Sequence, residues 1–303
     1  MRLKHGAYYY VPRVEGKQVW TLLSRDLGKA LTNWAKLDGH DNSGETVAHA
    51  VDRFLSEVVP LRAEATQRDY LRYADKVKAV FGSTRLVDVE THHVARYLDE
   101  KKAKVEANRI IAFLSAVYTK AIRWGWCSTN PCRGVQRNPE QKRRRYLEDA
   151  EIEKLRAAAG DTVRAIMNLA LLTGLRKKDV LKIRLADLRE DGIFVEQSKT
   201  GKRQVFTWTP ALQEAVDRAK ALRRRVGSLY LFATRDGQPY TTTGFDSMWQ
   251  RVVKKSKLED ARFHDLRAKA GSDATNATEL LGHDDPRTTA RYKRAPAKVR
   301  PLK

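Results

Sequence analysis

The stretch ELLGHDDPRTTARYKR, residues 279–294, decides how this chain reads. Gly282-His283 is followed nine residues later by Tyr292, and Asp285-Pro286 between them has the pattern of a helix N-cap and first-turn proline. The pattern predicts a helix over 286–292, with Tyr292 about two turns inside it. Upstream lie TGLR, Thr173 to Arg176, and HDLR, His264 to Arg267. A phenol becomes a useful nucleophile when its proton has somewhere to go and the group it attacks is held in place. Two histidines can handle protons, and two arginines can hold a phosphate diester, because the guanidinium is planar, always charged and donates in parallel pairs.

No single one of these motifs is specific. An arginine at a helix start is ordinarily a surface residue, H-x-x-R is common by chance, and a lone tyrosine on a short helix is ordinarily packing. Local geometry adds something to each. The three-residue spacing of His264 and Arg267 points both at one ligand from one helical turn. Gly174 permits a sharp turn after a buried helix and leaves Arg176 at the start of the next. Asp179 lies one turn on, able to orient Arg176 or a histidine. The order of all four motifs, close to the end of the sequence, carries the argument.

Composition limits the partners. The 303 residues suffice for two or three domains, and 59 Lys+Arg against 37 Asp+Glu give a net charge of +22. Spread-out positive charge is rewarded by phosphate neutralisation and counterion release, so nucleic acid is the favoured partner over a merely basic surface. No apolar run reaches the roughly 18 residues of a membrane span, and MRLKHGAYYY does not read as a signal peptide. No membrane role is expected, and the cytoplasm is the expected compartment. Cys127 and Cys132 are too few for a disulfide scaffold or a four-ligand zinc site, and read as reduced, semi-buried packing residues. A phosphate-cradling glycine loop of the G-x-x-x-x-G-K-[ST] type is missing.

Three blocks follow one another. Residues 1–43 contain AYYYVPR and QVWTLL, joined by Val14 to Lys17, which predict a β-hairpin; Leu27, Ala30, Leu31 and Trp34 predict a helix over 26–37. The polar run 38–44 reads as a linker. Residues 44–136 are helical throughout, with apolar stripes such as Val47, Val51, Phe54 and Val58, and then Ile110, Leu114, Val117 and Ala121. RNPEQKRRR and Tyr146, residues 137–146, form a basic linker, open to two readings: a solvated run or one lying along a DNA backbone. Residues 147–303 are mixed, with helices predicted over 149–159, 211–226, 244–256, 265–276 and 286–292, and a β-hairpin around Gly201 between GIFVEQ and RQVFTW. The fold class expected is mainly α with small β elements.

On Arg176, His264, Arg267, His283 and Tyr292, in this order and spacing, the chain resembles the tyrosine recombinases, the phage integrase family. The resemblance is close over 146–303 and extends in pattern to the helical block. It implies an all-α core-binding domain over 44–136, a mixed α+β catalytic domain over 147–303, and an arm-type DNA-binding module over 1–43, for which an accessory hairpin docked on the next domain is the rival. It also matches Lys199, in EQSKTGKRQVFTW, to the lysine that the family carries on a β-hairpin, with Lys202 as competitor.

The roles implied by the resemblance are these. Tyr292 attacks a phosphodiester to form a 3′-phosphotyrosyl link and releases a 5′-hydroxyl. Arg176 and Arg267 bracket the phosphate, His264 accepts or shares the tyrosine proton, His283 hydrogen-bonds a phosphate oxygen, and Lys199 protonates the departing oxygen. An ester-for-ester exchange conserves bond energy, so no cofactor is implied. The partners implied are double-stranded DNA attachment sites, a homotetramer assembled on DNA, and an excision factor and a DNA-bending host protein as accessories. Asp179 stands where the family usually has Glu. A type IB topoisomerase and a non-catalytic DNA-binding regulator on the same fold are the alternatives to an integrase.

Overall fold

The computed structural model describes residues 1–14, 17–37, 45–222 and 227–296. The chain divides into two compact units, 1–141 and 142–303, with the boundary inside the basic run.

The first unit begins with small sheets. Strands β1 (Arg2–Lys4), β2 (Ala7–Tyr10) and β5 (Thr21–Ser24) make an antiparallel sheet in the order β1-β2-β5, and β3 (Arg13–Val14) pairs with β4 (Lys17–Gln18). The predicted hairpin is present as β2 with β5, and β1 is an added strand that the sequence pattern did not announce. Helix α1 (Leu27–Leu37) follows, with Asp26 accepting from the Lys29 N–H at 2.8 Å as its N-terminal cap. The tip of the hairpin at 15–16, the run 38–44, residues 223–226 and residues 297–303 lie outside the described residues.

Among the described residues four α-helices follow in this unit, α2 (Val47–Glu57), α3 (Glu64–Phe81), α4 (Thr91–Glu100) and α5 (Lys104–Arg123), with short 3-10 turns at Val59–Leu61 and Leu86–Asp88. Their polar ends are satisfied locally. Thr46 caps α2 by accepting from the His49 N–H, and the His93 ring accepts from the Glu90 N–H at the start of α4. Their apolar stripes meet in a core where Phe113 packs edge-on against Phe54 and Tyr70, with centroids 5.6 and 5.1 Å apart. The buried Tyr118 hydroxyl donates to the Leu86 carbonyl at 3.1 Å. Cys132 is buried and Cys127 half-buried, and both are free thiols; burial pushes the Cys132 pKa up to about 12.

In the second unit the elements are α6 (Asp149–Ala158), α7 (Asp161–Thr173), α8 (Lys177–Leu181), β6 (Gly192–Glu196), β7 (Arg203–Thr207), α9 (Pro210–Lys220), α10 (Thr242–Ser256), α11 (Phe263–Asp273), α12 (Ala277–Leu281) and α13 (Pro286–Thr289). β6 and β7 form the predicted hairpin in a five-pair register from Gly192↔Thr207 to Glu196↔Arg203. α7 is buried along most of its length and packs against α9 and α11. Trp249 fixes α10 to the start of α11, edge-on to Phe263 at 5.2 Å, with its indole N–H donated to the Ala261 carbonyl at 3.0 Å.

Three helices differ from expectation. α8 and α12 are single short turns that hydrophobic periodicity does not reveal. α13 stops at Thr289, so Tyr292 stands in the turn beyond the helix and not two turns inside it. The cause is a change of hydrogen-bond partners. The Tyr292 N–H turns back to the Thr289 carbonyl at 2.8 Å, while the Tyr292 carbonyl accepts from the Ser272 hydroxyl at 3.0 Å. That hydroxyl in turn accepts from the Arg294 N–H at 2.7 Å.

The basic run is no bare solvated tether. Arg143 forks onto Asp265 at 2.9 and 2.6 Å, Arg145 pairs with Glu151, and Asn138 exchanges hydrogen bonds with Asn108 at 2.9 and 3.0 Å.

Candidate active site

Arg176 is placed by the end of α7. Gly174 caps that helix in the left-handed region (φ 61°), and the chain turns so that Arg176 is the N-cap of α8. A side chain at Gly174 would crowd Leu281 as well as strain the turn. Arg176 is half-buried and donates from Nη1 to the Gln197 side-chain oxygen. Asp179, expected to orient Arg176 or a histidine, does neither. Its Oδ1 accepts from the Ser198 N–H at 2.9 Å, because the β6–β7 turn lies against α8. The carboxylate is 4 % exposed, and its second oxygen has no protein partner.

The HDLR segment is the first turn of α11, as its spacing predicts. Arg267 is 1 % exposed. It donates from Nη1 to the Gly174 carbonyl, and from Nη2 to the Leu281 carbonyl at 2.7 Å and to His283 Nε2 at 3.2 Å. Its Nε–H is buried with no protein acceptor, a donor left over for a ligand. Burial, then the nearby Arg176 charge, pull the Arg267 guanidinium below its ordinary value. Two like charges held this close in a buried setting favour an anion between them.

His283 is buried just after α12, and its protonation follows from its partners. A guanidinium can only donate, so His283 Nε2 must accept from Arg267. The ring proton is then on Nδ1 and is donated to the buried Thr289 Oγ1 at 3.0 Å. Burial first, then Arg267, Arg176 and Lys202, push His283 down to about 4. His264 is likewise lowered to about 4, by burial and then by Arg267 and Arg294. Its residue surface is nevertheless exposed, so the desolvation is partial and the repulsion by two guanidiniums is the firmer cause. Both rings are neutral at pH 7.

Tyr292 is where these groups converge. Its ring centroid lies 5.5 Å from that of His264, 5.2 Å from that of His283, and 5.2 Å from the Arg267 guanidinium carbon. Four of the six residues expected from sequence thus meet directly, and the Arg176 charge acts on His264, Arg267 and His283. Lys199 stands exposed in the turn between β6 and β7. Lys202 pairs with Asp284 at 2.6 Å.

Sequence reasoning missed Gln197, Thr289 and Ser272, which hold Arg176, His283 and the Tyr292 backbone, and Asp265, which ties Arg143 and Arg294 to the start of α11. For Gln197 there was a signal: it continues the inward-facing alternation Ile193, Val195, Gln197, and a polar residue at an inward strand position needs a partner.

A phenol between two uncharged imidazoles, with the Arg267 guanidinium beside it and the Arg176 charge close enough to act on Arg267, has the groups a phosphoryl-transfer centre needs. The phage integrase family model matches residues 145–298. The integrase of Enterobacteria phage 434 is 28% identical over 255 residues, which cover 75% of this chain and 70% of that protein. A phage lambda integrase dimer bound to a core site superposes with a TM-score of 0.75 at 23% identity, covering 99% of both chains. A lambda integrase tetramer bound to a Holliday junction gives 0.71 at 24% identity, covering 94% of this chain and 97% of that one. The chain belongs to the phage integrase family. It is a site-specific DNA recombinase of the tyrosine type, an enzyme that cleaves and rejoins DNA.

Proposed function

We propose that Tyr292 is the nucleophile and that Arg176, Arg267, His264, His283 and Lys199 complete its site. The observation that carries this reading is the convergence of His264, His283 and Arg267 on the Tyr292 ring. A scissile phosphate between Arg176 and Arg267 meets the unused Arg267 Nε–H. The phenol oxygen attacks phosphorus, its proton passes to neutral His264, the bond to the 5′ oxygen breaks, and Lys199 delivers a proton to that oxygen. The product is a 3′-phosphotyrosyl ester and a free 5′-hydroxyl, and attack by a second 5′-hydroxyl reverses the steps on a new strand. The negative phosphate also offsets the guanidinium repulsion that adds to burial in lowering both histidines, so His283 can take a second proton on Nε2, giving up its bond from Arg267, and donate it to a phosphate oxygen.

The wider reading is integration and excision of a phage or prophage genome at double-stranded attachment sites, by a homotetramer formed on DNA. The net charge of +22 and the lambda tetramer on a Holliday junction support it. Residues 1–43 are read as an arm-type module, 44–136 as the core-binding domain, 137–146 as the basic linker and 147–303 as the catalytic domain. An excision factor and a DNA-bending host protein are accessories of this scheme, and the cytoplasm its compartment. Among the described residues no helix is long and apolar enough to cross a membrane.

The test is covalent capture on a nicked suicide substrate. Tyr292→Phe should bind DNA as the parent does and yield no adduct; a Phe variant that still links to DNA removes Tyr292 from the role.

A further inference from the structure

Gln197 is a fully buried amide with each of its polar atoms engaged. The polarity of its contacts is forced. Arg176 can only donate, so the amide oxygen faces Arg176, and the amide nitrogen must face away from it. That nitrogen donates to the Gln204 side-chain oxygen and to the Leu281 carbonyl, the latter at 3.3 Å. The Leu281 carbonyl is the same atom that receives Arg267 Nη2 at 2.7 Å. Gln204 in turn donates to the Glu279 carbonyl at 2.8 Å.

The two arginines are therefore linked by a short polar path, from Arg176 through the Gln197 amide to the Leu281 carbonyl and on to Arg267. The path is closed off by Gly282, where an added Cβ would overlap both Gln197 and Gln204. The main chain of Gln197 does a second job. Its N–H bonds the Lys202 carbonyl at 2.8 Å, and its carbonyl receives the Gly201 N–H at 2.8 Å, so Gln197 forms the base of the turn that carries Lys199.

We infer that Gln197 is a positioning residue of the strand-transfer site: it sets Arg176 relative to Arg267 and anchors the Lys199 turn to both. The inference rests on the reading of Arg176 and Arg267 as the phosphate-binding pair. An uncharged amide suits the place, since it orients Arg176 without neutralising it and leaves the positive charge for the phosphate. A carboxylate there would form an ion pair with Arg176 that competes with substrate, and would face the Gln204 oxygen and the Leu281 carbonyl with no hydrogen to offer.

The experiment compares Gln197→Met and Gln197→Glu with the parent chain and with Arg176→Ala. Single-turnover adduct formation at saturating DNA is measured on two suicide substrates. One carries an ordinary scissile phosphate and the other a methylphosphonate, whose uncharged centre has less need of Arg176. Thermal unfolding and DNA affinity are followed in parallel. On the phosphate both Gln197 variants should be slowed by about 100-fold, the scale expected for misplaced catalytic groups, with DNA affinity little changed. On the methylphosphonate their deficit relative to the parent should shrink, as that of Arg176→Ala should. Parent-like rates on the phosphate, or a deficit of equal size on both substrates while Arg176→Ala is relieved, overturn the role of Gln197. If Gln197→Met does not fold, the nearly isosteric Gln197→Glu decides alone. A parent chain that forms no adduct at all fails the reading of the site itself, which is a separate result.

Discussion

Arg294, two residues beyond Tyr292, donates from Nη1 to the Asp265 carboxylate at 2.8 Å, and that carboxylate is completely buried. The same carboxylate receives the Arg143 fork and the Arg262 N–H, at 2.9 Å for the latter. Asp265 thus ties the basic run, the first turn of α11 and the segment after Tyr292 to one point. Burial alone would raise its pKa, but Arg143, the Arg262 N–H and Arg294 outweigh it and the net direction is down.

Because Asp265 has two cationic partners, removing the hub and removing a spoke should differ. Asp265→Ala takes from Arg294 its carboxylate partner and leaves Arg143 with Asp260 alone, side chains that are 10% and 21% exposed, and should destabilise the fold by about 3–5 kcal/mol. Arg294→Ala leaves Asp265 with Arg143 and should cost less than half as much. Urea unfolding of the two variants measures this; equal losses would mean that Arg294 carries the whole interaction.

The histidines give a pH dependence with a definite sign. His283 and His264 both titrate near 4 in the folded chain against an ordinary 6.5, so the unfolded chain binds protons first as pH falls. Their contribution to stability is complete above about 6.5 and is lost as pH falls from there toward 4. His283, being buried, should account for most of it, on the order of 3 kcal/mol if the whole shift is realised. His264 should add less, because it is exposed. The difference in melting temperature between the parent and His283→Gln, followed from pH 7 to pH 4.5, isolates this from the titrating carboxylates. A constant difference across that range would falsify the assignment of a neutral buried imidazole.

Much of this site was legible in the sequence because its key positions are spaced by local geometry. Gly174 before Arg176, the three-residue step from His264 to Arg267, and Asp285-Pro286 opening α13 are short-range rules, and all three hold. The misses have a different origin. Tyr292 leaves the helix because Ser272, twenty residues earlier, takes its carbonyl. Asp179 turns from Arg176 to the Ser198 N–H because the hairpin turn packs on α8, and Gln197 takes its place. Contacts between distant segments decide these cases, and no periodicity records them. Lys199 was legible only by resemblance, since a lysine in an exposed turn has no local signature.

Thr289 tests the tautomer of His283. Its hydroxyl accepts the His283 Nδ1–H, which keeps Nε2 turned toward Arg267. Thr289→Val removes the acceptor at nearly constant volume and should slow adduct formation about tenfold or more, while Thr289→Ser should stay near the parent. Nitrogen chemical shifts of the His283 ring should report a proton on Nδ1 in the parent and a mixture in the Val variant. Identical ring shifts in the two proteins would remove Thr289 from this role.

The N-terminal sheet presents cations against an exposed aromatic: Arg2 and Lys4 lie 6.0 and 5.1 Å from the Trp20 ring, and Trp20 is 41% exposed. A chain beginning at Glu45 should still form adduct on core DNA, yet lose recombination between full-length attachment sites. Equal recombination by the two chains would reduce residues 1–43 to packing. For the whole chain, affinity for non-specific DNA should fall by roughly 10³ between about 50 and 200 mM salt if six or more phosphates are contacted.

Lys199 is tested most directly by removing the need for an acid. It lies exposed at the tip of the β6–β7 turn, whose base is closed by Gln197 and whose Ser198 N–H is held by Asp179. That anchoring leaves the side chain free to reach a bound phosphate while fixing where it starts. Lys202, by contrast, is already engaged with Asp284 at 2.6 Å. Lys199→Ala should therefore cleave ordinary DNA very slowly, by about 100-fold or more, because the 5′ alkoxide leaves unprotonated. Replacing the bridging 5′ oxygen by sulfur should restore most of the rate, since a thiolate departs without a proton. Lys202→Ala should be only mildly impaired on either substrate. Rescue of Lys202→Ala instead, or no rescue of Lys199→Ala, would show that the acid is another group, while the proposed attack by Tyr292 would be untouched, because nucleophile and acid act on opposite sides of the phosphorus.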